Sequence, residues 1–161
     1  MNPSLKKGLI VAALHLAIVG SLGAKLLVDR ATRPRVWART GPIDPDDPLR
    51  GRYVRLRVEG EPIGFGDASD TAVRLTEWKG QLAFTAASGN LIARVSSRDG
   101  RRIATLDQPL AFFIPEHVPD PSVRAPGEEL WVEVTLPKNG APRPIRLAVK
   151  KDGVLTPLDL D

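Results

Sequence analysis

The run YVRLRVE, from Tyr53 to Glu59, places Val54, Leu56 and Val58 at every second position, with Tyr53, Arg55, Arg57 and Glu59 between them. Side chains of an extended strand alternate between its two faces, so this spacing predicts a β-strand with an apolar inner face and a largely basic outer one. The same device recurs toward the C-terminus, at Ala72 to Glu77, Gln81 to Ala86, Leu91 to Ser96, Arg102 to Leu106 and Leu110 to Ile114. Gly80, Gly89-Asn90, Asp99-Gly100 and Gln108-Pro109 break these runs at hairpin intervals. In ELWVEVTL, Glu129 to Leu136, the residues Leu130, Val132, Val134 and Leu136 face inward. Ile145, Leu147 and Val149 repeat the pattern after a Lys138-Asn139-Gly140 turn, and a Lys151-Asp152-Gly153 turn leads to a short tail strand. About eight such strands, with no long helical period between them, predict a mainly β fold, either an antiparallel sandwich or a small barrel. A parallel α/β fold needs helices between its strands, and the Pro and Gly spacing leaves little room for them.

Upstream of this region the pattern changes to GLIVAALHLAIVGSLGAKLLV, a 21-residue run from Gly8 to Val28 interrupted by His15, Ser21 and Lys25 alone. A helix of about 20 apolar residues crosses a hydrocarbon layer of about 30 Å, and Lys25 lies close enough to the end to extend its ammonium to the headgroups. His15 remains neutral there and reads as a tolerated polar residue. The segment is expected to be a transmembrane helix over 8–28, after a basic tail over 1–7 and before a basic juxtamembrane linker over 29–42; residues 43–161 would form the β domain. The rival reading is a cleaved secretory signal, with Lys6 and Lys7 as its basic region and Ser21-Leu22-Gly23 as its processing site. Leu26, Leu27 and Val28 extend the run beyond what such a signal needs. A short basic tail ahead of an apolar run is the pattern of a signal anchor with its N-terminus inside, which puts the domain outside. Arg30, Arg33, Arg35 and Arg39 with Trp37 match the residues that bind nucleic acid by phosphate contact and stacking. Beside a membrane span the same residues anchor to anionic headgroups, so the expected partner is the lipid bilayer, with no nucleic acid.

The chain has no cysteine, which excludes disulfides, thiolate metal sites and Cys nucleophiles together. The net charge of +4 leaves the choice of partner to the position of the charges. Asp44, Asp46 and Asp47, in IDPDDP, lack the glycine and the distal Glu of a calcium-binding loop. Gly64-Phe65-Gly66 lacks the third glycine of a dinucleotide fingerprint. No cofactor and no metal is expected.

The order of features, with a membrane helix, an Arg-rich segment, Asp44-Pro45-Asp46-Asp47-Pro48-Leu49-Arg50 and then a strand opened by Gly51 and Tyr53, resembles the GDYXXLXY proteins. These are bacterial membrane-anchored proteins with no assigned biochemical activity. Gly51, Tyr53 and Leu56 match the motif, while Arg52 stands in place of its acidic residue and Val58 in place of its second Tyr. Phe113-Ile114-Pro115-Glu116 is similar to the family's aromatic, Val, Pro, Glu segment. The resemblance implies a bacterial inner-membrane protein with a periplasmic domain, and singles out Gly51, Arg52, Tyr53, Leu56, Pro115 and Glu116 as framework residues. Arg52 inverts any role that depended on the motif carboxylate.

Catalytic readings need a nucleophile, an acid-base pair or a metal site. His117 is the only His of the domain, and neighbouring Glu116 points to the opposite face if the segment is extended. A membrane-anchored Ser-Lys peptidase similar to signal peptidases would carry its Ser soon after the anchor, yet no Ser and no Lys occurs between Asp29 and Gly60. The expected function is therefore that of a noncatalytic envelope protein whose β domain binds a ligand or a protein partner in the membrane or envelope. The alternative is a membrane-anchored enzyme with an unrecognised site. If burial of the apolar run holds the chain to the bilayer, carbonate and high-salt washing will leave the full-length protein in the membrane pellet; its release would contradict a spanning helix.

Overall fold

A computed structural model of the protein describes residues 3–41, 53–66, 70–138 and 140–160. The chain divides into two compact units, Met1–Arg33 and Pro34–Asp161. The first is a single helix, α1 (Pro3–Thr32), in which Leu5–Thr32 is long and apolar enough to cross a membrane. The helix continues beyond Val28, the end expected from hydropathy. Asp29 and Arg33, one turn apart, form an ion pair at 3.1 Å, and Thr32 donates to the Val28 carbonyl oxygen at 2.8 Å. Pro34 then disfavours helical geometry in the residue before it, and the chain becomes extended.

The second unit contains ten strands: β1 (Arg35–Gly41), β2 (Tyr53–Ile63), β3 (Asp70–Trp78), β4 (Gln81–Ala86), β5 (Ile92–Arg98), β6 (Arg101–Leu106), β7 (Leu110–Phe113), β8 (Glu128–Thr135), β9 (Arg143–Lys151) and β10 (Val154–Pro157). Six of them close into a barrel in the order β1, β4, β3, β5, β6, β2, because β2 pairs back onto β1. The mainly β expectation holds, and of the two architectures it allowed the chain forms the barrel. β8, β9 and β10 extend outward from β1, and β7 pairs with the first half of β2. Most ladders are antiparallel; β4 runs parallel to both β1 and β2. Lys79-Gly80, Asp99-Gly100 and Asp152-Gly153 have positive φ at both residues, the two-residue turn whose twist suits a hairpin.

The stretch expected as a juxtamembrane linker over 29–42 is structured throughout its described part. It finishes α1 and supplies β1, a strand of the barrel wall. The alternation that makes it a strand is short but present: Val36 and Ala38 are buried, while Trp37 and Arg39 occupy the other face. The density of Arg in the sequence obscured that period. Arg35 to Arg39 pair along β8 from Thr135 to Trp131, so Trp37 and Arg39 are sheet residues.

One core fills the unit. Val54, Leu56 and Val58 of β2 meet Leu82 and Phe84 of β4, Leu106 of β6, Val132 and Val134 of β8, and Leu147 of β9. Burying side chains of this size stabilises by about 1.5 to 3 kcal/mol each. Pro144 sits beside a register irregularity between Glu133 and Val134, the kind of position where a strand tolerates a residue with no N–H. Glu59, which its spacing assigns to the polar face of β2, is buried at 3% exposure.

Leu56 is fully buried, whereas Arg57 beside it is exposed. Thermal or urea melts of the full chain in detergent are expected to show Leu56→Ala less stable by about 2 to 5 kcal/mol and Arg57→Ala within about 0.5 kcal/mol of wild type.

Candidate functional site

β2 changes partner along its length. Glu59 lies opposite Arg39 of β1, and two residues later Glu61 lies opposite Ala83 of β4. Gly60 is the crossing point. A Cβ there would come within 2.7 Å of the Leu82 carbonyl oxygen and 2.6 Å of the Phe84 ring, so the close approach of the backbones requires glycine. Since β1 and β4 also meet, at Trp37 and Gln81, three strands converge around Gly60. Their divergence on the polar side opens a cleft of about 820 Å³. Its walls come from β1 (Trp37, Arg39), β2 (Glu59, Glu61), β6 (Arg101, Arg102), β8 (Glu129, Trp131) and β9 (Lys150).

The polar face of β1, β8 and β9 forms a regular lattice because the register is antiparallel throughout. Glu59, Arg39, Trp131 and Ala148 lie in one cross-strand row, and Trp37, Glu133 and Arg146 in another. Along and between these rows charge meets charge or ring. Arg146 donates to Glu133 at 2.9 Å and lies 5.3 Å over the Trp37 ring. Lys150 lies 4.6 Å over the Trp131 ring, while the Trp131 Nε1–H donates to Glu129 at 3.1 Å. Arg39 Nη2 completes that group, 2.9 Å from Glu129 Oε1. Cation–ring pairs of this exposure contribute about 0.5 to 1 kcal/mol each, so the lattice positions side chains more than it stabilises the fold.

Glu59 is the buried anchor. Its side chain is 2% exposed, with Arg98 Nη1 3.0 Å from one carboxylate oxygen and Arg39 Nε 4.0 Å from the other; Arg98 also donates to that second oxygen at 3.3 Å. Both arginine side chains remain about 40% exposed. A carboxylate placed in a low-dielectric wall is tolerable only when paired, so Glu59 fixes two cations that would otherwise sample many rotamers in water. Gly41 makes room for it, since a Cβ at that position would collide with Glu59 Oε1.

The residues expected from sequence lie elsewhere. Tyr53 opens β2 opposite Phe113 of β7, with the rings edge to face at a centroid separation of 5.5 Å. Phe113-Ile114-Pro115-Glu116 therefore lies beside the strand that begins at Tyr53, and the two segments quoted for the family resemblance are neighbours. Leu56 is in the core, and Glu116 and His117 are exposed in a turn after β7 in which the Val118 N–H donates to the Pro115 carbonyl oxygen. Gly51, Arg52, Asp44, Asp46 and Asp47 lie outside the described residues. None of Tyr53, Leu56, Pro115 or Glu116 lines the cleft. His15 Nδ1 lies 2.8 Å from the Val11 carbonyl oxygen on α1. The cleft residues had one signal in the sequence: Trp131 stands on the polar side of ELWVEVTL between two Glu, an odd place for an indole unless charges surround it.

No protein-family model, no curated protein and no solved structure matches this chain.

Removing the Glu59 charge takes from Arg98 its carboxylate and from Arg39 one of its two, while both cations keep access to water. Glu59→Gln is expected to destabilise the full chain by about 1 to 3 kcal/mol in thermal melts, the range for losing a hydrogen bond to a charged group. Glu61→Gln, at an exposed position two residues further along the same strand, should leave the midpoint unchanged.

Proposed function

We propose that this protein is a single-pass, membrane-anchored binding module whose barrel receives a ligand or a protein partner in the cleft at the junction of β1, β2 and β4. In this reading α1 is the anchor, and the chain is a GDYXXLXY-type protein of the bacterial inner membrane with its barrel on the periplasmic side. The observation that carries it is the make-up of the cleft: charged groups and two indoles held by a lattice of ion pairs and ring contacts, on the one face of the sheet that does not enter the core. A preorganised polar lining of this volume is what recognition requires, because little side-chain freedom is then lost on binding. Trp, Arg, Glu, Gln and Lys provide contact area and directional hydrogen bonds, while among the described residues the lining contains no hydroxyl, thiol or imidazole to serve as a nucleophile. The basic tail ahead of the apolar helix supports the outward orientation.

A photocrosslinking side chain introduced at Gln81, on the cleft rim, tests this in intact cells. It should capture a discrete adduct, and the same group at Val154, exposed on the tail hairpin, should not. Equal labelling from both positions, or none from Gln81, would contradict the cleft as the binding site.

A further inference from the structure

Very little chain separates the apolar run from the barrel. Helix α1 ends at Thr32 and β1 begins at Arg35. From Val28, where the run stops, the helical residues to Thr32 rise about 6 Å, and the extended ones to Arg35 reach at most about 11 Å more. A headgroup layer is about 5 to 8 Å thick, so with α1 spanning, Arg35 is no more than about 12 Å beyond it. The end of the barrel at which β1 begins is therefore held beside the bilayer surface, on whichever side of the membrane the barrel lies.

That end is basic and carries an exposed indole. Between Arg30 and Ile43 the sequence has four Arg, and between Val134 and Lys151 five Lys or Arg, with no Asp or Glu in either stretch. The fold joins the two stretches: Arg35 lies opposite Thr135, Thr135 lies opposite Arg143, and the Leu136 N–H donates to the Pro34 carbonyl oxygen at 2.9 Å. Lys138, in the turn that follows, lines a hollow of about 340 Å³ together with Arg74 of β3. Alternation with buried Val73 and Leu75 puts Arg74 and Trp78 on the outer face of that strand. Trp78 is opposite Gln81, itself opposite Trp37, so the pairing returns to β1 near its start. The Trp78 side chain is 47% exposed, with Lys79 5.8 Å over its ring. Among the described residues none of Lys79, Lys138 and Arg143 is paired with a carboxylate, while Glu77 accepts from the Gly80 N–H at 3.1 Å and Glu133 is paired with Arg146 at 2.9 Å.

We propose that this end of the barrel docks on the anionic phospholipids of the leaflet from which the chain emerges, with Lys79, Lys138 and Arg143 toward the phosphates and the Trp78 ring at the interface. The inference rests on the reading of α1 as an anchor and is independent of what the cleft binds. Headgroups are many and mobile, so cations spread over a surface each meet a phosphate without converging on one point. Each basic side chain near an anionic leaflet favours the docked state about fivefold, and Trp prefers the headgroup level because its ring is amphipathic. Docking fixes the barrel's orientation on the membrane, and with it the direction from which a ligand reaches the cleft.

The test uses the full chain in nanodiscs of phosphatidylcholine, with and without phosphatidylglycerol, containing lipids brominated near the headgroup end of the acyl chain, which quench a Trp at the interface. The Trp78 signal is the difference in emission between wild type and Trp78→Phe. Discs with phosphatidylglycerol at low salt should quench it at least about twofold more than phosphatidylcholine discs, and high salt should remove the excess, because salt screens exposed charges. Replacing Lys79, Lys138 and Arg143 together by Gln should abolish the excess, since losing three such charges lowers the ratio of docked to free barrel by about a hundredfold. Arg143→Gln alone should lower that ratio about fivefold, while Lys151→Gln, at the other end of the same strand and opposite Glu128, should not. Melting of these variants at the wild-type temperature will exclude misfolding. Protein that elutes apart from the discs overturns the anchor reading and this inference with it. Protein that stays in the discs, with Trp78 quenching equal in the two lipids or an excess that survives the triple substitution, overturns the inference alone. So does capture of polyglutamate by phosphatidylcholine discs without excess Trp78 quenching in phosphatidylglycerol, a result that assigns the patch to an acidic protein.

Discussion

The eleven residues from Tyr53 to Ile63 must at once pair with β7, β6, β1 and β4, and every other feature of the domain is arranged around that demand. A strand has only two hydrogen-bonding edges, so one that serves four neighbours must exchange partners along its length. On one edge β7 gives way to β6 between Leu56 and Glu59; on the other β1 gives way to β4 at Gly60, where a side chain would collide with Phe84 and the Leu82 backbone. Closing β2 onto β1 removes the free edges of a six-stranded sheet, which is the most effective protection an antiparallel architecture has against adding strands from other chains. The same divergence of three strands leaves a concavity outside the barrel. Cleft and closure share one cause.

The two faces of the β1, β8 and β9 sheet divide the labour. Val36, Ala38, Val132, Val134 and Leu147 stabilise the fold by burial, and the intervening residues are free to carry charge and rings without disturbing it. Glu59 is where the two faces meet. It is as buried as the core residues beside it, yet it belongs by register to the polar row, and its charge orders Arg39 on the cleft wall. A buried carboxylate is a poor way to add stability, because desolvation offsets much of the Coulomb attraction. Its retention beside Gly41 is more easily understood as a device for placing cations.

The helix and the barrel distribute their apolar residues differently. α1 is apolar along its length and buries none of its candidate span within the molecule, as suits a helix whose backbone hydrogen bonds are satisfied internally and whose side chains meet lipid. The barrel keeps its apolar residues inside and turns charge outward. Pro34 marks the change from helical to extended backbone, with β1 starting at the next residue.

Much of this could be read from the sequence. The apolar run from Gly8 to Val28 declares a span-length helix by composition alone, and the period-2 pattern of YVRLRVE and ELWVEVTL declares strands with Leu56 and Val132 inside, because helix length and strand alternation are local properties. Whether those strands form a sandwich or a barrel is not local. It depends on β2 pairing with β1, across residues whose spacing carries no label for their partner. The cleft was hidden for the same reason. Arg39, Glu59, Arg101 and Lys150 stand far apart in the chain, each reads as an ordinary solvated charge, and Trp37 with Arg39 reads as a membrane-surface anchor. Cross-strand register brings Glu59 to Arg39 and Glu129 to Lys150, and long-range pairing is a property of the folded sheet as a whole. The sequence by itself determined which residues leave water. Only the tertiary structure decided which charges would meet, since a charge acquires its partner when the backbone closes around it.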